Sequence, residues 1–479
     1  NLDSAILSYK KVILLNNNFS EPHYNLGLAF KSLRKLDDAV ISFNKAISLK
    51  PDFAEAYNDL GNCHSLLGQI PLAINCFEKA LELKNDYAEA FNNLGKAFNI
   101  SGKVKAGVRC FKQAISIEPD FAQAHNNLGH AFKKLKQRDK VLISFENAYL
   151  IEPDMDFVLG DIINAKMHLC IWDNLSIQLK KVRKKILNHE KTVDPFNLMA
   201  WIDNPALQRK ATEIRVSSEF PRNADLQNII TYSNHLKIRI GYFSPDFREH
   251  PVGYLTAGLY GSHNRECFEV HAFSFGPNTN DELNLRIKAG VDYFHDVEAM
   301  SHKEVINLTH SLEIDIAIDL TGLTAKSRTN IFAMSAAPIQ LSYIGYLGTM
   351  GVDYYDYLIA DQIMIPKKYQ KHYVEKIVYL PSFQVNDSKD LPPDITLTRK
   401  EVGLPETGFV FCCFNNTYKF TPTIFDSWAR ILDAVEDSVL IVFANNELSK
   451  TNLSKLNRPW LSTGTLPMEL PLTNTSTSI

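Results

Sequence analysis

A repeat of 34 residues constrains this chain more than any other feature. Leu-Gly pairs stand at Leu26-Gly27, Leu60-Gly61, Leu94-Gly95 and Leu128-Gly129, each 34 residues after the last. The aromatic series Tyr9, Phe43, Phe77, Phe111 and Phe145 keeps the same step, as do Ala46, Ala80, Ala114 and Ala148. Pro51, Asn85, Pro119 and Pro153 mark a turn in the same register. A unit of this length is one supersecondary element that cannot bury its apolar face alone. It must stack on its neighbours, so the first third of the chain is a linear array rather than a closed globule.

Leu-Gly early in the unit, small packing positions and a late Pro resemble the tetratricopeptide repeat, a helix-turn-helix unit. On that reading the glycines let helix A approach helix B closely. The alanines fill the tight crossing, and Pro opens the next helix A at its first turn. Asn25, Asn93 and Asn127 precede Leu-Gly pairs, with Asp59 in the remaining position. Side-chain amides stacked one per repeat can hydrogen-bond a peptide backbone without reading its sequence. The same groups would also serve as solvated surface or as caps of neighbouring turns.

Elsewhere composition mainly excludes. Lys and Arg number 51 against 54 Asp and Glu, giving a net charge of −3, so charge offers no reason to expect nucleic acid or a membrane as partner. The longest apolar runs fall far short of the ~20 residues that span a bilayer. Seven scattered cysteines fit neither a disulfide framework nor a structural zinc site, and point to a reducing, cytoplasmic compartment. The repeat signal fades after Pro153. Residues 156–236 read as a helical connector, with Lys180, Lys181, Arg183, Lys184 and Lys185 as a solvated basic face.

From Lys237 the pattern changes to short β-rich runs between helical stretches. Ile238-Arg-Ile-Gly-Tyr-Phe243, Phe268-Glu-Val-His-Ala-Phe-Ser274, Ile314-Asp-Ile-Ala-Ile-Asp-Leu320 and Gln340-Leu-Ser-Tyr-Ile-Gly345 read as strands, with a helix near 254–260. Strands alternating with helices imply a parallel sheet whose ligand lies beyond the strands' carboxyl ends. Asn386-Asp-Ser-Lys-Asp-Leu-Pro-Pro-Asp394 reads as a linker. A second sheet then begins at Gly408-Phe-Val-Phe-Cys-Cys-Phe414, with a helix near 424–435 and a strand at Ser438-Val-Leu-Ile-Val-Phe443. The expected domains are 1–155, repeats; 156–236, connector; 237–390, a first Rossmann-like lobe; and 391–479, the start of a second.

No GxSxG, HExxH or GxxxxGK[ST] motif occurs. Gly345, Gly348 and Gly351 form GxxGxxG, either a plain turn or a place where backbone approaches a sugar-phosphate closely. His250 lies in a polar loop after a strand, where an imidazole can donate or accept near a reacting centre. Lys419 lies between a strand and a helix, where an ammonium group and a helix N-terminus can jointly hold phosphate.

Longer stretches extend this. Ile238-Arg-Ile-Gly-Tyr-Phe-Ser-Pro-Asp-Phe-Arg-Glu-His-Pro251, Asp319-Leu-Thr-Gly-Leu-Thr324, Ala337-Pro-Ile-Gln-Leu-Ser-Tyr-Ile-Gly-Tyr-Leu-Gly-Thr-Met-Gly351 and Phe411-Cys-Cys-Phe-Asn-Asn-Thr-Tyr-Lys-Phe-Thr-Pro422 follow the repeats in order. Together they resemble the O-linked N-acetylglucosamine transferases of glycosyltransferase family 41, in a bacterial-type form without the insert between lobes. The resemblance implies an α array followed by an α/β pair of Rossmann-like lobes of GT-B type, the second incomplete. It implies an inverting, metal-independent transfer from UDP-N-acetylglucosamine to Ser or Thr of proteins held by the repeats, with no cofactor. His250 would lie near the sugar and its leaving phosphate, and Lys419 would neutralise the departing pyrophosphate. Gly345, Gly348 and Thr349 would line the donor pocket, with Asn415 and Asn416 beside the nucleotide.

The chain departs from the family in three places. Leu323 stands where a polar or aromatic ring is usual, and Leu347 replaces a Pro in the Gly-Tyr-Pro-Gly turn. The segment that grips the UDP phosphates has no counterpart before Ile479, and the chain begins at Asn1 partway through the repeat pattern, so a chain cut at both ends is expected. A UDP-glucose-dependent transferase acting on Asn, and a non-catalytic repeat scaffold, are the competing readings. A two-carboxylate glycosidase is weaker, because no pair of acidic loop residues stands out.

Overall fold

The computed structural model describes residues 2–222, 232, 235–384, 398–401, 403–444, 446–455 and 461–462. The expected linker at 386–394 lies outside these. The chain forms two compact units, 1–165 and 166–479.

The first unit is a run of antiparallel helix pairs: α1 (Leu2–Leu15), α2 (Ser20–Ser32), α3 (Leu36–Leu49), α4 (Ala54–Leu66), α5 (Ile70–Leu83), α6 (Ala88–Ile100), α7 (Val104–Ile117), α8 (Ala122–Lys134), α9 (Arg138–Ile151) and the start of α10 (Val158–His168). Each Leu-Gly glycine faces a phenylalanine ring of the next helix. A Cβ on Gly27, Gly61, Gly95 or Gly129 would lie 2.6 Å from Cε1 of Phe43, Phe77, Phe111 or Phe145. The glycine and aromatic series are therefore two halves of one contact, and the close approach is ring to helix. Those four phenylalanines and Ala46, Ala80, Ala114 and Ala148 are fully buried.

Two expectations about the repeats change. Pro51, Pro119 and Pro153 sit in the inter-helix turn rather than in the first turn of helix A. The amides of Phe53, Phe121 and Met155 bond the carbonyls of Lys50, Glu118 and Glu152, so Pro occupies the second position of a β-turn, which its fixed φ suits. The array also runs past residue 155. Val158, Ile162 and Ala165 of α10 join the core made by Phe132, Val141 and Phe145, and α10 stands where the period puts another helix A.

The second unit opens with helices Leu175–Leu187, Pro195–Trp201 and Pro205–Glu219. Seven parallel strands follow: β1 (Ile238–Ser244), β2 (Phe268–Ser274), β3 (Tyr293–Asp296), β4 (Ile316–Asp319), β5 (Ile339–Ser342), β6 (Tyr357–Ala360) and β7 (Lys376–Tyr379), ordered β3-β2-β1-β4-β5-β6-β7. Alternate residues feed opposite cores. Phe243, Phe273 and Ala317 join Phe332 and Tyr355 on one side, while Tyr242, Ala272 and Ile318 join Tyr260 and Leu341 on the other. Both faces are thus covered, as a parallel sheet requires. A second parallel sheet holds β8 (Val410–Cys413), β9 (Val439–Val442) and β10 (Leu461–Ser462) in the order β10-β9-β8.

The expected connector belongs to the cores rather than merely joining them. Val216 lies in the first sheet's core, and Tyr354 donates to the Phe220 carbonyl at 2.9 Å. Cys170 and Trp172 pack into the second sheet's core with Phe420 and Phe425. Thr417 and Asn446 donate to the His168 carbonyl at 2.9 and 3.3 Å.

Candidate functional site

The strand order of the first sheet reverses between β1 and β4, the position where doubly wound sheets bind ligands at their carboxyl ends. Phe243 of β1 pairs with Asp319 of β4, and Asp319 with Ser342 of β5. The loops bearing His250, the Thr321-Gly322 turn and the glycine run therefore leave three adjacent strands at one edge.

His250 caps the helix Pro251–Gly261, its Nδ1 accepting the Val252 N–H at 3.3 Å. Burial lowers its pKa; Asp246, 3.6 Å from Nδ1, opposes that, and the positive charges of Arg248 and Lys326 add to it. The ring is thus neutral near pH 7. With Nδ1 accepting, its proton sits on Nε2, which leaves His250 a hydrogen-bond donor. Its loop is pinned from the neighbouring crossover: Glu249 N–H donates to Asp281 at 3.1 Å and Asn284 Nδ2 to the Phe247 carbonyl at 2.6 Å.

Asp319 is buried at the end of β4. Oδ1 accepts the N–H groups of Thr321 and Gly322 at 2.8 and 3.0 Å, and Oδ2 accepts the Tyr355 hydroxyl at 2.6 Å. Burial pushes its carboxyl above the ordinary range, and these bonds restrain the shift. Beside it, the hydroxyls of Thr321 and Ser342 are buried with no partner among the described residues. Buried polar atoms are normally satisfied, so two orphans at a switch point mark a place built for a ligand.

After β5 the backbone is forced. Ile344 has φ +61°, a rare conformation for a β-branched residue. A Cβ on Gly345 would lie 2.1 Å from the Leu320 carbonyl oxygen, so only glycine lets this loop lie on the β4 loop. Thr349 corrects the sequence reading. It is buried, and its hydroxyl donates to Glu375 at 2.7 Å, so its side chain shapes the loop and leaves only its backbone to face a donor.

In the second sheet, Lys419 Nζ donates to Asn415 Oδ1 at 3.1 Å, on the turn Thr417–Lys419 that leads into the helix Pro422–Ala434. Lys419 and exposed Asn415 thus stand side by side on this loop. Asn416 is buried, which removes it from the exposed face of the loop.

The repeat ladder is more interlocked than its spacing implied. Asn93 Nδ2 donates to Asn58 at 3.0 Å, and Asn127 Nδ2 to Asn92 at 2.8 Å, so each amide bonds the preceding repeat. Asp59 accepts from Tyr24 at 2.8 Å and from Lys31. Asn25 makes no side-chain hydrogen bond among the described residues. The series continues at Asp161, which meets Lys133 at 3.7 Å just as Asp59 meets Lys31 one helix pair earlier. Extending the period past 155 would have found it. Thr321, Ser342 and Glu375 gave no such signal.

Among the described residues no group of three or more His, Cys, Asp or Glu could hold a metal, and no helix is long and apolar enough to cross a membrane.

Fold and site define a tandem helical-repeat protein joined to parallel α/β sheets with a built switch-point site. The chain belongs to glycosyl transferase family 41, which residues 223–396 and 384–459 match; residues 20–53, 42–75, 65–99, 96–136 and 122–155 match tetratricopeptide repeats. The probable UDP-N-acetylglucosamine–peptide N-acetylglucosaminyltransferase SEC of Arabidopsis thaliana is 34% identical over 301 residues, covering 58% of this chain and 31% of that protein. The probable transferase SPINDLY of Oryza sativa subsp. japonica is 34% identical over 209 residues, covering 42% and 22%. The chain thus spans under a third of the length of these relatives. A mutant O-GlcNAc transferase of Thermobaculum terrenum shares the fold, with a TM-score of 0.53 and 22% identity over 84% of this chain and 71% of that one.

Proposed function

We propose that this chain acts as a protein O-linked N-acetylglucosamine transferase in the cytoplasm, with its two sheets as the lobes of a GT-B fold. The family 41 match, with relatives bearing that activity in their names, carries the reading. A Ser or Thr hydroxyl attacks the sugar's anomeric carbon, the bond to UDP breaks, and the anomeric configuration inverts. The hydroxyl proton leaves to a base that no residue described above identifies. Negative charge grows on the departing diphosphate, and fixed donors stabilise such charge best. Lys419 supplies a cation held by Asn415, and His250 supplies its Nε2–H. This neutral tautomer casts His250 as a donor rather than as the base. No metal is required for these roles. Gly345 and Gly348 line the donor pocket, and Asn415 stands beside the nucleotide.

The repeats would hold the acceptor. Asn25 keeps its whole amide, while Asn93 and Asn127 each commit one N–H to the preceding repeat and retain the other for a peptide backbone.

Transfer of labelled sugar from UDP-N-acetylglucosamine to a protein acceptor tests the reading, with UDP-glucose as competitor. Lys419→Ala should lower kcat by about a hundredfold or more, and His250→Ala by about tenfold or more, as loss of fixed donors does. Preference for UDP-glucose, or unchanged turnover in Lys419→Ala, would overturn it.

A further inference from the structure

Glu375 is a buried carboxylate just before β7, only 4% exposed, with no cationic partner among the described residues. Its Oε1 accepts the Met350 N–H at 2.5 Å and its Oε2 the Thr349 hydroxyl at 2.7 Å. Thr349 Oγ1 in turn accepts the N–H groups of Gly351 and Val374, both at 3.1 Å. The Tyr373 hydroxyl reaches the Leu347 carbonyl at 3.5 Å. Three consecutive residues, 373–375, thus hold the far half of the glycine loop. On the near half, the Tyr346 hydroxyl meets Thr212 Oγ1 at 3.1 Å. Between the two holds, the backbone N–H groups of Tyr346, Leu347, Gly348 and Thr349 donate to no acceptor among the described residues.

A buried carboxylate with no counter-charge is a costly way to fill space, and an apolar side chain of like volume would serve stability better. What the carboxylate provides instead is two acceptors at fixed spacing. We propose that Glu375 is a positioning residue for the donor. Acting through Thr349 and Met350, it locks the 345–351 loop so that the N–H groups of residues 346–349 meet the sugar-phosphate oxygens of the nucleotide sugar. This rests on the transferase reading above. Neighbouring N–H groups held in a fixed turn form an anion-binding concavity only while their geometry is maintained.

An amide cannot replace this carboxylate. In Glu375→Gln the new NH2 group faces either the Met350 N–H or the Thr349 hydroxyl. That hydroxyl already accepts two N–H groups and has only its proton left to offer, so either rotamer sets donor against donor.

Glu375→Gln and Thr349→Val should each raise donor KM by about tenfold or more, leaving acceptor KM unchanged. Thr349→Ser, which keeps the hydroxyl, should restore donor KM to within about twofold. In the unaltered chain, hydrogen exchange at the amides of 346–349 should slow when UDP-N-acetylglucosamine is added, a readout that needs no variant to fold. If the unaltered chain turns over while those amides show no protection, or while donor KM in folded Thr349→Val matches wild type, the positioning role is wrong. If the unaltered chain transfers no sugar, the transferase reading fails and takes this inference with it.

Discussion

Alanine in place of Gly95 sets two effects of known sign against each other. At a helix interior, Gly to Ala gains about 1 kcal/mol from backbone entropy alone. Against this, the new Cβ would stand 2.6, 2.8 and 2.9 Å from Cε1, Cδ1 and Cζ of Phe111, well inside ordinary contact. The ring must retreat by about 1 Å, and it is fully buried, with Ala97 and Ala114 also without exposure. Overpacking of this kind costs about 1–3 kcal/mol. The clash should win, leaving Gly95→Ala less stable by about 1 kcal/mol. Adding Phe111→Leu, which withdraws the ring edge, should show a favourable coupling of about 1 kcal/mol with Gly95→Ala. Gly261 is the control, because a Cβ there meets nothing within 4 Å, and Gly261→Ala should stabilise by up to about 1 kcal/mol. Tandem repeats need not unfold in one step, so urea melts followed by helical circular dichroism should be paired with hydrogen exchange of α6 and α7. If Gly95→Ala raises stability as Gly261→Ala does, the ring does not rest on the glycine and the period has another cause.

Burial, reinforced by the nearby His271, lowers His295 from 6.5 to about 4. A depressed histidine contributes stability that is complete above its unfolded pKa and is lost as pH falls toward its folded one. Between pH 7.5 and 5 that loss is about 2 kcal/mol, and His295→Phe, which keeps the ring stack on Phe273, should remove it from the pH profile; an unchanged profile would refute the assignment. In the repeats, Lys31→Met strips a cation from largely buried Asp59, and urea melts should show about 1–2 kcal/mol lost, with Lys133→Met milder because its pair is longer. Equal losses would argue against the charge pairing.

The repeats were legible because one contact, glycine against ring, recurs at fixed spacing and leaves two residue series in phase. The signal ends where the contact ends. Ile163 occupies the glycine position in α10, which was therefore read as connector although its core residues and Asp161 keep the register. The same logic sorts the strands. β1, β2, β4 and β5 run between covered faces and read as apolar. β3 and β7 are the edge strands of the sheet, with Tyr293 half exposed and Val378 partly so, and each lacks the second covered face; β6, Tyr357-Leu-Ile-Ala360, is as short and as apolar as β4 and β5, so its omission has no such cause. In the site, the sequence pattern located the loops but not the directions of their side chains. Thr349 and Asn416 turn inward, and neither spacing nor residue type carries that information. Glu375 was invisible for the opposite reason: a charged residue before a strand reads as surface until the groups around it are known.

Four loops at the carboxyl edge of the first sheet share one device. After β1, Asp281 accepts the Glu249 N–H; after β4, Asp319 accepts those of Thr321 and Gly322. After β5, Glu375 accepts that of Met350; after β6, Asp361 accepts those of Ile363, Met364 and Phe383. Each carboxylate consumes donors that would otherwise point at random and leaves a chosen set unpaired: the N–H groups of 346–349, the orphan hydroxyls of Thr321 and Ser342, and the Nε2–H of His250. All of these remaining groups can donate, which is the complement required by a ligand rich in sugar and phosphate oxygens. Since the acceptors are spent on the protein itself, the edge is polar without competing for the same protons. A site that must stabilise charge in a leaving group gains most from donors that do not have to reorganise. The carboxylates beneath the loops supply that fixity, and the conspicuous His250 depends on it as much as the unremarkable Thr349 does.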